Sequence, residues 1–296
     1  MIKTDITNIG DPFVLVFENA YYMYSTSAED GFKCFKSTDL INWIDMGYVY
    51  KDSPWGENCF WAPEVYHYEN KFYLLYTARW SKNHSLRTGL AVSSSPLGPF
   101  IDINKGPLFD LGYATIDATF LLNDDNGRNY LYFVRDCSEQ IINGVHTSTI
   151  YGVEVDKTLT QFIGEPLLLS KPDCALETTV DKQWQWNEGP AVIHLNGRYY
   201  LNYSLNPYYD RHYSIGCQEA ISPLGPFKKY EDNPILAYKE NEFSGPGHNH
   251  FFRSLDDNRL LTSFHIHTDY NRPSGDRRFC IGEVKFDMNM KMRIEV

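Results

Sequence analysis

Five times along the chain the same local grammar recurs: a polar residue, a short apolar strand, a tight turn, then an aromatic strand. The openings are Asp11-Pro12-Phe13, Trp61-Ala62-Pro63-Glu64, Ile116-Asp117, Glu188-Gly189-Pro190 and Gly245-Pro246-Gly247-His248-Asn249. Asp11 to Glu64 is 53 residues, Glu64 to Asp117 another 53, Asp117 to Glu188 71, and Glu188 to His248 60. A unit of that length accommodates four antiparallel strands of about five residues with their turns, which is one propeller blade. The hexapeptide Ser-Pro-Leu-Gly-Pro-Phe occurs at 95–100 and again at 222–227, at similar points of the second and fourth units. These features predict an all-β fold: a five-bladed β-propeller with four-stranded antiparallel blades around a central channel, one domain over residues 1–296. A β-sandwich is the rival, but nothing in a sandwich requires five like openings.

The strands themselves are short aromatic runs such as Tyr21-Tyr-Met-Tyr, Lys71-Phe-Tyr-Leu-Leu-Tyr and Tyr130-Leu-Tyr-Phe-Val. They are separated by turn pairs such as Glu69-Asn70 and Asn196-Gly197. Aromatic residues make up 16% of the chain, which suits both strands and sugar-stacking surfaces. The net charge of −11 leaves no excess of cations to bind nucleic acid or an anionic membrane. No run approaches the length of a membrane span. The six cysteines are scattered singly and the N-terminus shows no signal-peptide pattern, so a cytoplasmic protein is expected; a secreted one stays open if a leader preceded this sequence.

In a propeller the first strand of every blade lines the channel, so its opening residues converge near one end. Asp11, Glu64, Asp117, Glu188 and His248 are expected to share that place. Four carboxyls and an imidazole around one cavity are costly unless paired, hydrated or coordinated. Such crowding separates pKa values and creates acid and base roles. Each residue also has a plainer reading. Asp before Pro starts turns, a strand-end Asp is often solvated, and a lone His is often a hydrogen-bonded core residue. The repeat context tips the balance toward a site.

Taken in order, these motifs resemble the five-bladed propeller glycosidases of glycoside hydrolase family 43, over about Asp11 to Phe286. The resemblance implies inverting hydrolysis, with Asp11 as general base, Glu188 as general acid and Asp117 as the group that orients that acid and adjusts its pKa. Inversion needs two carboxyls roughly 6.5–9.5 Å apart, leaving room for a water. It also implies a structural Ca2+ or ordered water cluster in the channel beside His248, with no cofactor needed for the chemistry. One imidazole alone is a poor calcium site. Trp61 is the leading candidate to stack on sugar, with Phe13 and Ile116 walling the inner subsite and Glu64 bracing neighbours or bonding sugar. An arginine of the fifth blade is expected on sugar hydroxyls, and Arg277 and Arg278 both qualify, with a slight preference for Arg277. Trp184 and Trp186, in the long insert before Glu188, are expected at an outer subsite or on a surface loop. Trp43 and Trp55 are expected to pack between blades.

The expected substrate is an arabino- or xylo-oligosaccharide, and the expected activity release of α-L-arabinofuranosyl residues from plant-wall oligosaccharides. Exo-β-xylosidase or bifunctional action, endo-α-1,5-arabinanase action and a non-catalytic carbohydrate-binding propeller are the alternatives. A retaining fructosidase-like or mannosidase-like propeller is a further rival, because retention requires carboxyls only ~5–5.5 Å apart.

Overall fold

In the computed structural model, which describes residues 1–178 and 180–296, four antiparallel sheets of four strands and one of five form the blades. Their innermost strands are Gly10–Phe17, Gly56–Tyr68, Thr115–Leu121, Asn187–Leu195 and Gly247–Arg253. Each touches the next and the fifth touches the first, closing a ring around a channel. The second strands are buried along nearly their whole length, as in Ala20–Thr26 and Asn129–Arg135, because blades pack against both faces. That is why they read as continuous aromatic runs rather than as alternating ones. Five apolar clusters fill the wedges, one between each neighbouring pair of blades. Trp55 and Trp43 lie in two of these wedges, Trp43 edge-on to Phe279.

The turns behave as expected: Glu69-Asn70 and Asn196-Gly197 both adopt positive φ, the backbone of a two-residue hairpin. Both copies of the repeated hexapeptide link the third strand of a blade to its fourth, Leu86–Ser93 to Ile101–Asp102 and Ser214–Ala220 to Lys228–Lys229. The ring is closed on blade 5, where Ile2–Lys3 and Met292–Glu295 both pair with the strand Arg277–Phe286. Among the described residues no helix is long and apolar enough to cross a membrane.

One irregularity repeats in all five inner strands. Pairing with the second strand slips between Gly10 and Phe13, Trp61 and Glu64, Ile116 and Thr119, Glu188 and Ala191, and Gly247 and His250. The residue after the first of each pair has positive φ: Asp11 (54°), Ala62 (45°), Asp117 (51°), Gly189 (51°) and His248 (47°). A bulge of this kind re-aims side chains, and here it turns the strand openings toward the channel mouth. The bulges correct the expected equivalence. Asp11, Asp117 and His248 are equivalent. Glu188 lies one residue before its bulge position and Glu64 two residues after.

Candidate active site

A cavity of about 370 Å³ opens at the channel mouth, lined by Asp11, Asp117, Glu188, His248 and Arg277, with Trp61, Ile116 and Trp186 on its walls. Asp11 is the most tightly held. Arg277 Nη1 donates to its Oδ1 at 3.1 Å, Thr26 Oγ1 donates to its Oδ2 at 2.6 Å, and His248 Nδ1 lies 3.3 Å from Oδ1. Gly10 makes this possible, because a Cβ there would stand 2.0 Å from the Arg277 guanidinium. Burial works against the Asp11 charge, but Arg277 and His248 overcome it and hold the carboxyl well below the usual carboxylate range.

Glu188 has the opposite surroundings. Burial, with Asp117 and Asp136 as negative neighbours, pushes its carboxyl well above the ordinary glutamate value. Among the described residues its one direct hydrogen-bond donor is the Ser148 hydroxyl, 2.6 Å from Oε1. Asp117 lies between these two extremes. Burial raises it to about 6, against the pull of His248, and the Gly189 N–H donates to its Oδ2 at 3.1 Å. The cavity therefore presents one carboxylate locked in its charged form and one carboxyl held protonated. That is the division of labour needed to activate a water on one side of a glycosidic bond and protonate the leaving oxygen on the other.

Asp136, Cys137 and Ser138 line the same wall, and sequence reasoning missed them. A carboxylate oxygen of Asp136, Sγ of Cys137 and a carboxylate oxygen of Glu188 lie within 4.8 Å of one another. Asp136 is thus the fourth carboxyl of the cavity, the part expected of Glu64. Glu64 is buried outside the cavity lining and accepts a hydrogen bond from the Tyr66 hydroxyl. Phe13 also lies outside the lining, tilted against His250 with ring centroids 3.8 Å apart. Arg278 faces away and donates to the Thr4 carbonyl, so of these two Arg277 is the one in the site, where Arg79 also lines the cavity.

The insert before Glu188 builds one wall. Trp184–Gln185 runs parallel to Val145–Thr147, Trp184 stacks on His146, and Trp186 reaches the cavity. Lys229 pins this segment by donating to Asp173, Glu177 and Asn187, the residue beside Glu188. Tyr208 and Tyr209 also line the cavity, Tyr208 beneath the Arg277 guanidinium.

The side chains around His248 do not make a calcium cage. Its Nδ1 faces Asp11 and Asp117, and the one trio of close metal-type donors among the described residues is Asp136, Cys137 and Glu188, whose thiol does not suit calcium.

A channel-mouth carboxyl pair of this polarity on a closed ring of blades defines a propeller glycosidase site. Residues 6–290 match glycosyl hydrolases family 43. A solved structure described as a thermostable family-43 glycoside hydrolase superposes with a TM-score of 0.95 at 43% identity, covering 99% of this chain and 95% of that one. The β-D-galactofuranosidase xynD of Aspergillus niger is 29% identical over 82% of this chain and 69% of its own length. The xylosidase/arabinosidase 43A of Humicola insolens is 28% identical over 75% of this chain and 79% of its own. The chain belongs to glycoside hydrolase family 43 and is an inverting glycoside hydrolase.

Proposed function

We propose that this enzyme releases α-L-arabinofuranosyl residues from arabino- or xylo-oligosaccharides, with Asp11 as general base, Glu188 as general acid and Asp117 orienting that acid. The observation that carries the roles is the opposed electrostatics within one cavity. Asp11 is held charged by Arg277 and His248, while Glu188 is kept protonated by burial and by Asp117 and Asp136. Asp11 takes a proton from water as the water attacks the anomeric carbon. Glu188 gives its proton to the leaving oxygen as that bond breaks, so the two carboxyls end the turnover with their protonation states exchanged. The Gly189 N–H and His248 hold Asp117 beside the strand that carries Glu188.

Two features support a pentosyl or furanosyl unit at the end of a chain. The cavity, at about 370 Å³, is near the small end of ligand pockets and is walled by Trp186, Tyr208 and Tyr209, which suits exo action on a short saccharide. The relative from Humicola insolens carries both xylosidase and arabinosidase in its name, and the β-D-galactofuranoside cleaved by the Aspergillus niger relative is also a five-membered sugar ring.

The test is hydrolysis of aryl α-L-arabinofuranoside, β-D-xyloside, β-D-galactofuranoside and β-D-fructofuranoside by the wild type and Glu188→Ala. With an aryl group that is a poor leaving group, arabinoside cleavage that is lost in the variant is the expected result. Preference for the xyloside or galactofuranoside would move the substrate and keep the mechanism. Silence on all four, with cleavage of linear arabinan, would replace exo with endo action; silence there too would leave a binding propeller.

A further inference from the structure

The five bulges at the channel mouth share a second device, and one blade departs from it. The N–H of a bulge residue is buried where the sheet ladder cannot reach it, so it needs another acceptor. In four blades the acceptor is a side chain on the second strand of the preceding blade. Thr26 Oγ1 accepts from Ala62 at 2.8 Å, Thr77 Oγ1 from Asp117 at 3.1 Å, Ser204 Oγ from His248 at 2.8 Å, and His265 Nδ1 from Asp11 at 3.1 Å. These four acceptors hold one register position, opposite Trp61 (Thr77), Gly10 (Thr26), Glu188 (Ser204) and Gly247 (His265). In blade 3 that position, opposite Ile116, is Val134, fully buried and without an acceptor. The orphaned N–H belongs to Gly189, next to Glu188, and it turns to Asp117 Oδ2 at 3.1 Å instead.

We propose that Val134 is a positioning residue: by withholding the acceptor that the other four blades supply, it delivers the Gly189 N–H to the Asp117 carboxylate and ties Asp117 to the strand carrying Glu188. A threonine there, nearly the same shape as valine, would restore the arrangement of the other blades. Gly189 would then bond a neutral hydroxyl, and Asp117 would lose the charge-assisted bond that fixes its rotamer. The catalytic consequence rests on reading Asp117 as the orienting group, whereas the hydrogen-bond exchange does not.

The experiment is a double-mutant cycle on the full chain with Val134→Thr and Asp117→Ala, read first by thermal unfolding. In wild type the new hydroxyl competes with an existing acceptor and is expected to lower the Tm or leave it unchanged. In Asp117→Ala the Gly189 N–H has lost its partner, so the same substitution is expected to raise the Tm. An equal shift in both backgrounds overturns the exchange. Should Val134→Thr fail to fold in wild type, Val134→Ser against Val134→Ala, both in Asp117→Ala, reads the hydroxyl alone; a serine no more stable than alanine there also overturns it. The second readout is kinetic: Val134→Thr is expected to lower kcat by about tenfold on a substrate with a poor leaving group and less on an activated one, with KM little changed. Unchanged kcat on both, with the unfolding coupling present, would remove the catalytic role and keep the hydrogen-bond exchange. Failure of the substrate assignment would leave the unfolding cycle untouched.

Discussion

Two rings of residues lie two positions apart along the five inner strands, and they have opposite characters. The outer ring is Asp11, Ala62, Asp117, Gly189 and His248; the inner is Phe13, Glu64, Thr119, Ala191 and His250. At Asp11 in the outer ring charge is sustained. Asp11 meets Arg277, Thr26 and His248, and the cavity is open to substrate. In the inner ring charge is suppressed. Burial lifts Glu64 to about 8 despite the Tyr66 hydroxyl, and lowers His250 to about 3. Both rings hold a carboxyl and an imidazole, so residue type does not make the site. A cation partner and an opening do. The bulge separates the two environments within two residues.

The largest expected effect is on the outer ring. Asp11→Asn is expected to lower kcat by roughly 10³-fold or more, activated substrates included, because a good leaving group does not replace a lost base. Initial rates on two aryl arabinofuranosides would check it, and activity within tenfold of wild type would remove Asp11 from the chemistry. Next comes Arg277→Ala, which leaves the buried Asp11 carboxylate short of its cation. Denaturant unfolding is expected to show a loss of about 3 kcal/mol, with a steep fall in kcat, and Arg277→Lys should recover part of both.

A smaller effect sharpens the account of Glu188. Asp136 is one of the negative neighbours that hold its proton, so Asp136→Asn is expected to let Glu188 ionise at lower pH. The basic limb of the kcat/KM profile should move to lower pH, with the rate at the optimum within about tenfold of wild type. A limb that stays in place or moves to higher pH contradicts this.

Smallest is Glu64→Gln in the inner ring, expected to change kcat less than about twofold, since Glu64 lies outside the cavity lining. Its signature lies in stability. The folded state keeps the Glu64 proton to about pH 8, whereas the unfolded chain releases it near 4.5. The stability tied to that proton is therefore fully present below about 4.5 and is lost as pH rises toward 8. Glu64→Gln removes this slope, so the Tm of the variant relative to wild type should grow from pH 5 to pH 8. Parallel Tm curves would contradict it.

Much of this was legible in the sequence for identifiable reasons. The blades announce themselves because second strands buried on both faces must be aromatic runs, and because two-residue turns demand pairs such as Asn196-Gly197. Asp11, Asp117, Glu188 and His248 were found because each sits within a recurrent strand opening, and all four line the cavity. Glu64 was misplaced because a bulge shifts facing by residues that spacing alone does not reveal, and the Trp61-Ala62-Pro63-Glu64 opening offered only one acid. Arg277 and Arg278 are adjacent on a strand and must face opposite ways, a choice that two identical side chains leave open. The signal was Gly10, the residue small enough to admit a guanidinium beside Asp11. Asp136 follows the second strand Asn129–Arg135 outside every motif, and only the folded chain brings it to Glu188. The silence of Val134 is of the same kind, since a missing acceptor matters only beside four that are present.

A leaving-group comparison decides whether Asp11 and Glu188 divide base and acid between them. Asp11→Asn and Glu188→Ala would each be assayed on an aryl α-L-arabinofuranoside with a strongly acidic phenol and on an arabino-oligosaccharide. The account predicts that Glu188→Ala loses the oligosaccharide but retains much of its rate on the activated aryl substrate, while Asp11→Asn loses both. The reverse pattern, or equal losses on both substrates in both variants, would contradict the assignment.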